Sequence, residues 1–152
     1  MDDNAFISDY LERYRQSLIE TDVSGELIRM KEMLLQVKVQ GNKAIVAGNG
    51  GSAAIAGHAA VDFTKQAGIR MINFNEAGLI TCFANDYGYE EWVSKAIEFY
   101  GDKGDVAILI STSGSSLNMI NAAKAAKKLD MQVNTFTGFN EDNLLKQNGC
   151  LN

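Results

Sequence analysis

Apolar positions at the front of the chain recur with a helical period. Phe6, Tyr10, Tyr14 and Leu18 fall four apart, with Ile7 and Leu11 beside them, which predicts an amphipathic helix over 5–21. A second helix is predicted over 25–40. Ser24 stands as its N-cap, Leu27, Met30, Leu34 and Val37 form one stripe, and Gly41 closes it. No strand pattern separates the two, so they read as an αα-hairpin that can pack on its own domain or on a partner subunit. From residue 43 the pattern changes. Short apolar runs at 44–47, 71–74, 106–110 and 133–136 read as buried strands. Helices are predicted at 52–65, 77–84, 90–100 and 116–128, with a turn at 85–88 and a final helix at 140–147. Lys127 and Lys128 close the helix at 116–128, where cations suit the dipole. Strands alternating with helices predict an α/β fold with a parallel sheet. A fifth strand would begin at 149–152.

Composition narrows this picture. Apolar residues make up 46% and charged residues 22% of 152, which excludes disorder and fits one domain over 1–152. Within it, 1–41 is the helical hairpin and 42–152 the sheet region. Proline is absent, so no Pro-rich linker divides the chain. No apolar stretch approaches the roughly 18 residues of a membrane span, so no membrane partner is expected. The start, MDDNAF, lacks the basic and apolar segments of a secretion signal. Cys82 and Cys150 are too few for a disulfide scaffold and read as ordinary thiols of a cytoplasmic protein. The net charge of −5 weighs against nucleic acid as a partner. It leaves room for one small phosphorylated ligand, because backbone N–H groups hold phosphate without a lysine. The single histidine excludes any mechanism that needs two from one chain.

Two loops follow strands and precede helices, where open parallel sheets bind ligands. The first is Gly48-Asn49-Gly50-Gly51-Ser52, whose glycines let the backbone approach a ligand closely. The second is Ser111-Thr112-Ser113-Gly114-Ser115-Ser116, five hydroxyls and a glycine. Each opens a helix whose N–H groups and dipole favour an anion. Together they predict a phosphate cradle without a cationic side chain. The first loop also fits the dinucleotide pattern G-x-G-x-x-A, ending at Ala53. That reading wants an acidic residue about 20 positions on, and Glu76 lies further away.

His58 and Asp62 stand one turn apart on the helix that leaves the glycine loop. The spacing suits two metal ligands, an acid/base group with its orienting neighbour, or a plain surface contact. Small neighbours (Ala53, Ala54, Ala56, Ala59 and Ala60) leave room beside them. Asn85 and Asp86 can supply hydrogen-bonding groups from another loop.

The helical hairpin, GNGGS at 48–52, His58 in the next helix, NDYG at 85–88 and STSGSS at 111–116 resemble the sugar-isomerase (SIS) domain family, and within it the phosphoheptose isomerases. The resemblance covers essentially the whole chain. It implies a three-layer, flavodoxin-like parallel fold and isomerisation of sedoheptulose 7-phosphate to glycero-manno-heptose 7-phosphate, as in surface-polysaccharide heptose synthesis. It implies that Asn49, Gly50, Gly51, Asn85 and Asp86 contact the sugar phosphate, and that Ser52, Ser111, Thr112, Ser113 and Ser116 hold its phosphate. It implies a catalytic role for His58 and Asp62, zinc on the same pair, no redox cofactor, and a homotetramer with the hairpin as interface.

Two departures qualify it. The family's usual glutamate after the histidine is Asp62 here, one methylene shorter. The family also continues into a fifth strand and a C-terminal helix bearing a Gln or Glu and a His, which these residues lack. Alone, the chain is therefore expected to be slow or inactive. A rival of another class is a non-catalytic phosphosugar-binding or adaptor protein, such as relatives that bind the replication initiator DnaA.

Overall fold

The computed structural model describes residues 2–151. Helix α1 (Asp3–Arg15) continues into a π-helical turn at Gln16–Glu20. Its polar side carries exposed ion pairs, Arg13 to Asp9 at 2.9 Å and Arg15 to Glu12 at 2.6 Å. Such exposed pairs contribute little, too little to hold an isolated helix of this length. Helix α2 (Ser24–Gln40) buries Leu34 and Val37 and ends at Gly41. The spacing predicts Ser24 as its N-cap, and the structure corrects this. Ser24 is the first helical residue, and the Asp22 carboxylate takes its N–H at 2.9 Å. Nor do α1 and α2 pack into a hairpin. α1 buries no residue, and its contacts are essentially with its own π-helical turn.

The remaining elements alternate: β1 (Ala44–Gly48), α3 (Gly51–Lys65), β2 (Met71–Asn73), α4 (Ala77–Tyr87), α5 (Trp92–Tyr100), β3 (Val106–Ser111), α6 (Leu117–Lys128), β4 (Gln132–Thr137) and α7 (Leu144–Asn148). The four strands form one parallel sheet in the order β2-β1-β3-β4, with Ala44 opposite Val106 and Val106 opposite Gln132. α7 is shorter than the helix predicted at 140–147, because Asn143 caps it by accepting from the Lys146 N–H. Beyond β4, Leu151 forms a parallel bridge to Asn134 where the fifth strand was expected.

Strand alternation divides the core in two. Ile45, Ala47, Ala107, Leu109 and Val133 meet Trp92, Val93, Ile97, Met119 and Ile120 of α5 and α6. Ala44, Val46, Val106 and Ile108 meet Leu34, Val37 and Ala56 of α2 and α3. Each large side chain so buried contributes about 1.5–3 kcal/mol. These faces give the three layers.

At the start of β1 and β3 the sheet is clamped by charge. The Asp105 carboxylate, fully buried, accepts from the Asn42 amide, the N–H groups of Lys43 and Asp102, and the Lys43 ammonium. The far ends of these same two strands carry the two loops. The chain leaves β1 for β2 on one side and returns to β3 on the other, so the order reverses between β1 and β3. Ligands of open α/β sheets sit at such a reversal.

Candidate functional site

The loop after β1 turns through Gly50, whose φ of +55° lies in the left-handed region that favours glycine. Gly50 and Gly51 have N–H groups with no acceptor among the described residues. The loop after β3 does the same at Ser113 and Ser116. Its hydroxyls are pre-ordered: Ser111 donates to Ser116 at 3.1 Å and Ser115 to Ser113 at 2.9 Å. Between the loops lies an open cleft of about 240 Å³, lined by Asn49, Ser52, Ile110, Ser111, Thr112, Ser113, Ser116 and Phe139. No lysine or arginine lines it. Free N–H groups, hydroxyls and the N-termini of α3 and α6 are the groups here that can face an anion.

The structure thus brings Asn49, Ser52, Ser111, Thr112, Ser113 and Ser116 into one cleft, with Gly50 and Gly51 on the loop that forms its wall. Asn85 and Asp86 do not line it. They lie in the last turn of α4, which runs on to Tyr87 and stops at Gly88, and Asn85 donates to Asp86 at 2.9 Å. His58 and Asp62 do not line it either. His58 Nε2 is 3.3 Å from Asp62 Oδ2 on an exposed face of α3. Glu76, the residue the dinucleotide reading needed, is the N-cap of α4: its carboxylate accepts from the Gly78 and Leu79 N–H groups, both at 2.9 Å. Those hydrogen bonds hold its pKa below the usual carboxylate value.

Three contributors escaped the sequence reading. Asn118, buried on α6, pairs with Asn49. Tyr89 also bonds Asn49. Phe139, at φ +59° and largely exposed, lines both the cleft and an adjoining cavity of about 500 Å³. Each comes from a residue without periodic signal, in a turn or at a helix start.

Zinc needs three or four donors in one place. Among the described residues no cluster of three His, Cys, Asp or Glu side chains can hold a metal ion. His58 and Asp62 offer two donors, so this chain's own residues do not fit a complete zinc site.

A parallel sheet reversing between β1 and β3, with a glycine turn and a hydroxyl turn flanking the reversal, defines the architecture of a SIS domain. The SIS-domain model matches residues 8–138, and the chain belongs to that family. Within it, relatives 33–37% identical to this chain are phosphoheptose isomerases. That of Fusobacterium nucleatum is 37% identical over 121 residues, 76% of this chain and 62% of the relative. That of Cytophaga hutchinsonii is 33% identical over 147 residues, 93% of this chain and 73% of the relative. The solved phosphoheptose isomerase of Neisseria gonorrhoeae superposes with a TM-score of 0.82 at 33% identity, covering 93% of this chain and 78% of that one. The chain therefore spans between about three fifths and four fifths of the length of these relatives. No helix among the described residues is long and apolar enough to cross a membrane.

Proposed function

We propose that the chain is an aldose–ketose isomerase acting on a phosphorylated sugar, with sedoheptulose 7-phosphate as substrate and glycero-manno-heptose 7-phosphate as product. The observation that carries this reading is the cation-free cleft between the two loops, where free N–H groups and ordered hydroxyls converge. A phosphate there is gripped by dipoles at two helix N-termini, and its binding energy orients the rest of the molecule. Ser52, in the first turn of α3, faces the phosphate. His58 lies about 9 Å further along the helix axis and Asp62 about 15 Å. An open-chain heptose laid along α3 points its carbonyl end toward that pair. The Asp62 carboxylate would take the proton from the carbon beside the carbonyl, and His58 would orient it. No redox cofactor is needed, because the two carbons exchange oxidation state internally.

The same reading makes the protein a homotetramer in the cytoplasm, with the apolar stripe of α1 (Phe6, Tyr10, Leu11, Tyr14) as interface. All four side chains are about half exposed, and α1 buries none of its residues among the described ones. A second reading, phosphosugar binding without catalysis, is favoured by the position of His58 and Asp62 outside the cleft. One experiment separates them: proton exchange at the first carbon of sedoheptulose 7-phosphate in deuterated buffer. Exchange that Asp62→Asn abolishes supports the isomerase. Exchange indifferent to Asp62→Asn removes that residue from the role. Binding without exchange supports the second reading.

A further inference from the structure

The Asn49 carboxamide sits where the glycine loop meets the hydroxyl loop, and its hydrogen bonds can be accounted for completely. A carboxamide oxygen accepts two hydrogen bonds, and its NH₂ donates two. Asn49 Oδ1 receives one from Asn118 Nδ2 at 2.8 Å and one from the Tyr89 hydroxyl at 3.1 Å. Asn49 Nδ2 donates to Asn118 Oδ1 at 2.9 Å. The orientation of this pair is set from the backbone. The Met119 N–H can only donate; it is shared between the Ser116 carbonyl at 3.0 Å and Asn118 Oδ1 at 3.1 Å, a contact an amide NH₂ in that place would oppose. This favours oxygen at that end of Asn118, and the reciprocal pair then orients Asn49. Asn118 is buried, so water does not compete for it.

The geometry points to Asn118 and Tyr89 as positioning residues: they fill both acceptor sites of the Asn49 oxygen and leave one Asn49 N–H as a fixed donor to an oxygen of the ligand in the cleft. This rests on the phosphosugar reading above and deepens it. The remaining N–H is all the side-chain hydrogen-bonding capacity that Asn49 keeps for the cleft it lines. The ligand atom facing it is therefore an acceptor, a phosphate oxygen or a carbonyl or hydroxyl oxygen of the sugar. Because Asn118 lies in the first turn of α6 and Asn49 opens the turn after β1, the pair also holds the two loops at one spacing.

The test is a double-mutant cycle read by calorimetric titration of the whole chain with sedoheptulose 7-phosphate, with the Asn49 side-chain amide resonances followed by NMR. Asn118→Ala is expected to weaken binding about tenfold, and Asn49→Ala at least as much. The double variant is expected to bind no worse than Asn49→Ala alone, because Asn118 acts only through Asn49. Should Asn118→Ala fail to fold, Tyr89→Phe serves in its place. Tyr89 is exposed and loses only its hydroxyl, so a smaller loss is expected, absent in the Asn49→Ala background. The Asn49 amide resonances are expected to shift in Tyr89→Phe before any ligand is added. Additive losses, or a Tyr89→Phe protein with unaltered affinity and unaltered Asn49 resonances, would overturn the inference while leaving the phosphosugar reading intact. A wild-type chain that binds no phosphosugar, with Asn49 resonances that still shift, would overturn the phosphosugar reading and the ligand-facing role with it, while the side-chain network stood.

Discussion

Replacing Asp105 tests how firmly β1 and β3, the strands that present both loops, are held at their other ends. Four donors converge on its carboxylate, two on each oxygen: Asn42 Nδ2 at 3.1 Å and Lys43 N at 3.0 Å on Oδ1, Asp102 N at 2.8 Å and Lys43 Nζ at 2.5 Å on Oδ2. Asp105→Ala strands two backbone N–H groups and leaves Lys43, itself largely buried, with only the exposed Asp102. Removing one partner of such a buried pair costs about 3–5 kcal/mol. Asp105→Asn is expected to cost about 3 kcal/mol as well. Its oxygen can serve Asn42 and Lys43 N, but its NH₂ then faces two donors, so matching size does not rescue it. The assay is urea unfolding at neutral pH, where a loss of this size moves the midpoint by about 1–3 M at an unchanged slope. Acid supplies a second arm. Burial pushes the Asp105 pKa up, but the Lys43 ammonium and the other three donors pull it further down, to a net value below the usual one. A depressed carboxylate stabilises the fold above its unfolded pKa of about 3.9, and that contribution is lost as pH falls through the folded value. The gap between wild type and Asp105→Ala is therefore expected to narrow below about pH 4. A loss under about 1 kcal/mol, the range of an exposed ion pair, would refute the clamp.

Two further expectations concern the loop and the interface. A Cβ on Gly48 would lie 2.7 Å from the Ser52 backbone, so Gly48→Ala is expected to displace the helix start, lower stability by about 1–3 kcal/mol and weaken phosphosugar binding. An unchanged melting temperature and titration would refute this. Leu11→Asp on the exposed stripe of α1 is expected to lower self-association at least tenfold by light scattering while leaving the fold intact, and a wild-type chain that is monomeric at every concentration would remove the interface.

The sheet was legible because each strand is a short, mostly apolar run, and the two loops because β1 and β3 end in unusual composition. GNGGS and STSGSS differ from ordinary turns in what they omit, bulk and cations, and the cleft uses that omission. Less legible was anything that depends on which surface an apolar stripe meets. The period of α1 is as clear in sequence as that of α2, yet only α2 covers the sheet, since periodicity fixes a face and not its partner. Helix ends were blurred where polar residues could serve either role. Asn85 and Asp86 read as a turn but lie within α4, because the first conformational stop is Gly88 at φ +93°. Glu76, weighed as a ribose ligand, spends its carboxylate on the start of α4. Asn118 carried no signal at all, since an asparagine two residues into a helix looks like any other until the opposite loop is in place.

The placement of His58 and Asp62 bears most directly on mechanism. They share a helix with Ser52, yet only Ser52 faces the cleft, and the pair opens to solvent on the outer side of α3. An exposed carboxylate is a poor base for a carbon acid, because water stabilises its charge and dissipates the field that would hold the enediolate. The proposed reaction therefore requires something to cover this face and exclude water. Nothing in the described residues does so. α1, with its unpaired apolar stripe, and the exposed Ile55 and Val61 of α3 itself mark surfaces through which another subunit can supply that cover. On this view, catalysis and assembly are one property. On the proposed reading, a chain held monomeric through Leu11→Asp should keep any phosphosugar affinity, since both loops belong to one subunit, and lose proton exchange. If exchange persisted in the monomer at the wild-type rate, Asp62 would have to act without cover, and the link between assembly and chemistry would fail.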